Sequence, residues 1–134
     1  MKTKILFTIQ IILGIALIFF GLDKFLHFMP HQASQPEMGI FMKALVDTEY
    51  MMPLVGAIQF LSGVAFALNR YVAFMAILIM PVMLNALLIH LFLDPEGSMA
   101  SSIVTLFIVL VMYKHKDAYT LLFKETLEEK KVVI

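Results

Sequence analysis

Residues 72–93 read VAFMAILIMPVMLNALLIHLFL, a run without a formal charge in which Asn85 and His90 are the only polar side chains. A helix needs about 20 apolar residues to cross bilayer hydrocarbon, within a range of about 17–25. This stretch is long enough to do so unaided. Working outward, Met51–Leu68 and Ile5–Leu22 are comparable runs, the latter interrupted only by Thr8 and Gln10. A fourth run, from Ala100 to Tyr113, is shorter and holds Ser101, Ser102 and Thr105; it spans once Met99 and a snorkelling Lys114 extend it. The expected fold is an all-α integral membrane protein. It is a single membrane domain over 1–134, a four-transmembrane-helix bundle with spans near 5–24, 51–68, 72–93 and 99–114. The charged tail, 115–134, reads as a short solvated helix.

Composition agrees. The chain is 61% hydrophobic and 15% charged, with a mean hydropathy of +0.92, whereas soluble domains run near about 45–50% apolar and about 25% charged. A soluble fold of 134 residues could not hide that much apolar surface, so the lipid bilayer is the expected partner. Net charge is zero, which leaves no basic field to recruit nucleic acid. The absence of cysteine excludes disulfides, thiolate nucleophiles and Cys-x-x-Cys relays. Phosphate-binding glycine loops, His-Glu-x-x-His and nucleophile elbows are also absent.

Basic residues set the expected orientation. With four spans, Lys2, Lys4, Arg70, Lys114, Lys116, Lys124, Lys130 and Lys131 fall on one side, and only Lys24 and Lys43 on the other. The positive-inside rule then puts both termini and the Asn69–Arg70 turn in the cytoplasm. The first run, with Lys2 and Lys4 before it, lacks the small-x-small site of a cleaved signal peptide and reads as a retained anchor. In the outer loop, Ser34 and Glu37 have capping-box spacing. Met38, Phe41, Met42, Leu45 and Val46 follow on one helical face, so a short amphipathic helix is expected near 35–48. It either closes the loop on the membrane surface or forms a lid over a site.

Each polar side chain in hydrocarbon needs a reason. Those in the outer half are Asp23, Lys24 and His27, then Gln59, then Asn85 and His90. From a rise of about 1.5 Å per residue, Lys24 lies roughly 6 Å deep, His90 roughly 4–5 Å, and Gln59 and Asn85 roughly 12 Å. Gln59 shares a face with Gly56, Ser62 and Gly63, and Gly14, Gly21 and Lys24 form a matching stripe. Small residues on a stripe admit a neighbouring helix, so Lys24 and Gln59 are expected to point inward and Asp23 about 100° away. Pro81, one turn before Asn85, makes room beside the amide. Gln59 and Asn85 are expected within hydrogen-bond reach, directly or through a water. In one reading they only glue helices together. In the other, Lys24, Gln59, Asn85 and His90 form an intramembrane binding pocket. His27 with His31, and His90 with Asp94, have i,i+4 spacing that could suit a metal, and His27 with His90 could face a haem; no metal site is expected from either.

Three segments together resemble the DoxX-type membrane proteins. Residues 14–25, GIALIFFGLDKF, resemble the first-helix pattern ending Gly-Leu-x-Lys. Residues 57–63, AIQFLSG, continuing to Asn69–Arg70, resemble the second, and Pro81 to Asn85 with His90 to Pro95 the third. The resemblance runs from Ile5 to Pro95. It implies a four-helix bundle in a bacterial-type inner (plasma) membrane and an association with membrane redox chemistry. Where that pattern carries glutamate this chain has Gln59, which cannot ionise or relay a proton.

Two functions compete at this point. One is a redox-associated subunit whose pocket receives a quinone headgroup or small anion, with no tightly bound cofactor. Lys24 would supply charge, Gln59 and Asn85 would position carbonyl oxygens, and His90 would donate or pass a proton. The other is a non-enzymatic assembly subunit docking a partner protein or a second copy of itself. The basic asymmetry makes a direct prediction: reporter fusions after Arg70 and at the C-terminus read cytoplasmic, and one inserted at Gln35 reads external. An external C-terminus would mean that the fourth run does not cross.

Overall fold

The structure, a computed structural model, describes residues 1–30 and 35–123. Its helices are α1 (Lys2–Leu26), α2 (Pro36–Asp47), α3 (Met51–Leu68), α4 (Val72–Leu93), α5 (Ser98–Lys114) and α6 (Lys116–Thr120). One 3₁₀ turn, Pro95–Gly97, leads into α5, and another, Leu121–Phe123, follows α6. No strand occurs among the described residues. Four segments are long and apolar enough to span: α1, α3, α4, and Pro95–Lys114 at 20 residues. The 3₁₀ turn thus supplies the length that the fourth run lacked. Helices suit this environment because they satisfy their own backbone where water cannot. The result is a multi-pass membrane protein, an all-α bundle. Ile12, Ile15, Leu61, Phe74, Leu84 and Leu106 turn outward, where lipid covers them.

α1 and α3 run antiparallel and touch backbone to backbone. Gly14 faces Gly63 and Gly21 faces Gly56, pairs two helical turns apart on each helix. A Cβ placed on Gly63 would lie 2.6 Å from both the Gly14 carbonyl oxygen and the Ile18 nitrogen. One on Gly21 would lie 2.6 Å from the Phe60 nitrogen and 2.8 Å from the Gly56 oxygen. No side chain could be accommodated at either crossing without separating the helices.

One end of the bundle carries Lys2, Lys4, Arg70 and Lys114 and is called the basic end; the other, carrying α2 and the Pro95–Gly97 turn, is the loop end. The apolar core fills the basic half and reaches the middle: Leu13, Leu17, Phe66, Val72, Ala76, Ile79, Met83, Ile108 and Val111. A polar group is built into it. Gln10 is fully buried and donates through Nε2 to the Phe66 carbonyl (3.0 Å) and Asn69 Oδ1 (2.9 Å), while its Oε1 accepts from Lys114 Nζ (3.0 Å). In the sequence Gln10 only interrupts an apolar run; in the fold it joins α1, the α3–α4 turn and α5. Asn69 ends α3 in the left-handed conformation (φ 54°, ψ 43°), which asparagine tolerates better than most residues. Tyr119 of α6 donates its hydroxyl to the Ala73 carbonyl (2.9 Å), and burial pushes this phenol above its ordinary pKa.

α2 starts at Pro36 behind an extended Gln35 (φ −128°, ψ 143°); proline suits the first helical position because its missing N–H would be unpaired there. Ser34, expected as the cap, lies outside the described residues, as do His31 and the tail beyond Phe123. Of the expected apolar face, Met38, Met42 and Leu45 turn toward the bundle, whereas Val46 is exposed. Lys43 and Asp47 pair at 2.7 Å on the outer side.

The glycine crossing generates a stability prediction. Gly63→Val forces α1 from α3 and is expected to cost at least the about 1–3 kcal/mol of ordinary overpacking. Leu61→Ala, on the lipid face of the same helix, should stay within about 0.5 kcal/mol. Thermal or SDS-induced unfolding of the detergent-solubilised protein measures both.

Candidate functional site

The loop half is hollow where the apolar core ends. A cavity of about 630 Å³ lies among α1, α3, α4 and α5, with α2 across its mouth. The sequence explains the space. α5 presents Ala100, Ser101 and Val104 to it, too small to fill it, and α4 contributes Pro81 and Ala86. From α2 and the start of α3 come the flexible side chains of Met38, Met42, Met51 and Met52. Met38, Met42 and Leu45 of the amphipathic helix line the cavity, and no residue of α2 is itself buried.

Lys24, Gln59, Asn85 and His90 all line this one cavity. Lys24 is half-buried. Its stem passes over Gly56, where a Cβ would stand 2.7 Å from Lys24 Cβ. The glycine crossing thus delivers the lysine to α3 one turn from Gln59. Gln59 is 8% exposed. It does not bond Asn85: its Nε2 points at Met83 Sδ, 3.9 Å away, and its Oε1 is buried without a partner among the described residues. Thioether sulfur is a weak acceptor, so this amide is nearly unsatisfied at both ends. Asn85 is exposed to the cavity.

His90 Nδ1 stands 3.5 Å from Asp94 Oδ2, too long for a hydrogen bond. Gly97 explains how the imidazole fits beneath the 3₁₀ turn: a Cβ there would strike the His90 ring and come within 3.2 Å of Asp94 Oδ2. Asp23 was expected to project away from Lys24, and it does not line the cavity. It is nevertheless only 1% exposed. Its Oδ1 accepts the Met29 N–H at 2.8 Å, while its carbonyl accepts from the left-handed His27. It anchors the chain leaving α1, a role that its lone acidic identity did not signal. His27 is exposed and does not join His90 at the cavity. Among the described residues no group of three His, Asp or Glu side chains is placed to hold a metal ion.

The arrangement is a mostly apolar chamber with one cation, two primary amides, one imidazole and the Ser101 hydroxyl in its wall. It can hold an apolar body while hydrogen-bonding a few oxygen atoms. The isolated polar residues marked four positions of the wall and the amphipathic pattern marked Met38 and Met42; Met51, Met52 and Met83 carry no such signal.

A family model described as DoxX matches residues 5–91. The matched stretch contains Lys24, Gln59, Asn85 and His90 and ends before α5, which brings Ser101 to the wall. Comparison with curated proteins and with solved structures gives no match.

The two buried glutamines should respond oppositely to removal. Gln59→Leu discards an amide with an unpaired buried oxygen and should leave stability unchanged or raise it, since replacing an unsatisfied polar group can be stabilising. Gln10→Leu strands the Lys114 ammonium and the Asn69 oxygen and should cost about 1–3 kcal/mol. Unfolding midpoints of the two variants, measured side by side, check the contrast.

Proposed function

The chain belongs to the DoxX family, and from that premise we propose that it is a redox-associated membrane protein whose cavity receives a quinone headgroup or a small anion. The observation carrying this reading is the unpartnered, buried Gln59 Oε1 in a chamber that also holds Lys24, Asn85 and His90. A buried polar atom without a partner costs about 1–3 kcal/mol, and the hydroxyl that a quinone gains on reduction is a donor that would relieve it. The volume, about 630 Å³, lies within the usual small-molecule range of roughly 300–1,000 Å³.

In this reading the ligand enters beneath α2, with its apolar part against the methionines. Lys24 directs its ammonium at a carbonyl oxygen or anionic group, a charge-assisted contact stronger than a neutral one. The Asn85 amide orients a second oxygen. Gln59 Oε1 accepts from a hydroxyl when the ligand is in its reduced form. Gln59, unlike a glutamate, brings no charge and takes no proton, so His90 is the group in the wall able to donate or accept one.

Binding of decyl-ubiquinol, and of decyl-ubiquinone beside it, to the purified protein in detergent tests the proposal. The wild type should bind about one equivalent, and Lys24→Met should weaken binding by about tenfold or more, the equivalent of a lost charged hydrogen bond, with its unfolding midpoint retained. Failure of the wild type to bind, or equal binding by Lys24→Met, would overturn the reading. A stoichiometric protein partner that co-purifies equally well with Lys24→Met would instead favour an assembly role.

A further inference from the structure

At the basic end, across the packed core from the cavity, a second hollow of about 430 Å³ opens between the first turns of α1 and the last turn of α5. It is lined by Thr3, Lys4, Phe7, Thr8 and Lys114. Two of these five are cations, and no described carboxylate lines the hollow. Two ammonium groups brought to one concavity without a counter-charge repel each other unless an anion joins them.

Lys114 is held rather than loose. Its Nζ donates to the buried Gln10 Oε1 at 3.0 Å and lies 4.7 Å from the centre of the Phe7 ring. An ammonium has three protons; the amide and the ring face occupy two directions and leave a third for the hollow. Lys4 stands one turn from Phe7 and Thr8, on the same face of α1. Thr8 spends its hydroxyl proton on the Lys4 carbonyl (2.9 Å) and can only accept, which leaves Thr3 as the hydroxyl able to donate. The wall therefore presents two positive charges and one hydroxyl donor, the complement of a phosphodiester.

The depth of the site identifies the source of that phosphate. Lys4 lies at the start of the span Lys2–Leu26, and Lys114 is the last residue of the span Pro95–Lys114. Both sit where hydrocarbon gives way to headgroups. Beside them, Phe7 and Ile5 are exposed on the outer surface of α1, an apolar flank that would serve an acyl chain and has nothing to offer a dissolved ion. We propose that this hollow binds the headgroup phosphate of an anionic phospholipid, with its chains lying along α1 beside α5. The site is independent of the cavity at the loop end.

Native mass spectrometry of the full chain, titrated in detergent with dilauroyl phosphatidylglycerol or dilauroyl phosphatidylcholine, tests this. The wild type should retain one phosphatidylglycerol with about tenfold or greater preference over phosphatidylcholine, given about 1 kcal/mol per basic residue at a membrane surface. Lys4→Gln should reduce that preference about fivefold on the same scale. This variant decides the matter, because Lys4 lies outside the Gln10 network whereas Lys114→Gln also disturbs packing. Equal retention of the two lipids by the wild type would overturn the proposal, as would an undiminished preference in Lys4→Gln. Displacement of phosphatidylglycerol by millimolar inorganic phosphate would reassign the hollow to a soluble anion and overturn the lipid assignment. Persistence of the lipid under that challenge supports it.

Discussion

Everything distinctive in this bundle depends on the contact of α1 with α3 through two pairs of glycines. In lipid there is no hydrophobic force to press helices together, so close packing must supply the association. Gly14 against Gly63 and Gly21 against Gly56 bring peptide groups into direct contact, which locks both separation and register. That register has consequences at each end. Toward the basic end it sets Gln10 beside the Phe66 carbonyl and Asn69. Toward the loop end it carries Lys24 across Gly56 to the neighbourhood of Gln59.

The two halves built on this pair differ in how they treat polar groups. In the basic half the Gln10 amide is bonded at both ends and a cation completes the network. Such a fully satisfied group specifies packing rather than opposing it. In the loop half Gln59 has a sulfur for one partner and, among the described residues, none for its oxygen, beside a cavity that apolar side chains could have filled. A well-packed bundle would not keep that combination for stability. Local inconsistencies of this kind concentrate where proteins bind or react.

α2 adds a lightly buried element to that asymmetry. It rests over the cavity through Met38, Met42 and Leu45 and buries none of its residues. Segments with little buried surface open at low cost, and unbranched thioether side chains repack readily around different shapes. The covering of the cavity thus rests on few buried contacts, while the glycine crossing beneath it is packed backbone to backbone.

Four spans were readable because hydropathy is local: a run such as Val72–Leu93 needs no partner to declare its environment. The inward faces of α1 and α3 were also readable, since glycine stripes and isolated polar residues cannot usefully face lipid. Lys24, Gln59, Asn85 and His90 could be grouped by depth alone, as the rise per residue is fixed. The same logic stopped at the level of atoms. α4 is apolar almost all round, so its rotation about its own axis leaves little trace in sequence. That rotation decides that Gln59 meets Met83 and not Asn85. It took the assembled bundle to show that Gln10 is a structural hub, that Asp23 anchors the chain after α1, and that methionines from α2 and α3 wall the cavity. Apolar side chains have no directional chemistry to announce their neighbours, and a polar one finds its partner only when distant segments have been brought together. The sequence by itself determined how many helices are long and apolar enough to cross the membrane and which glycine-lined faces of α1 and α3 meet; only the tertiary structure decided which polar residues are buried, which of them are satisfied and which are left facing an open space.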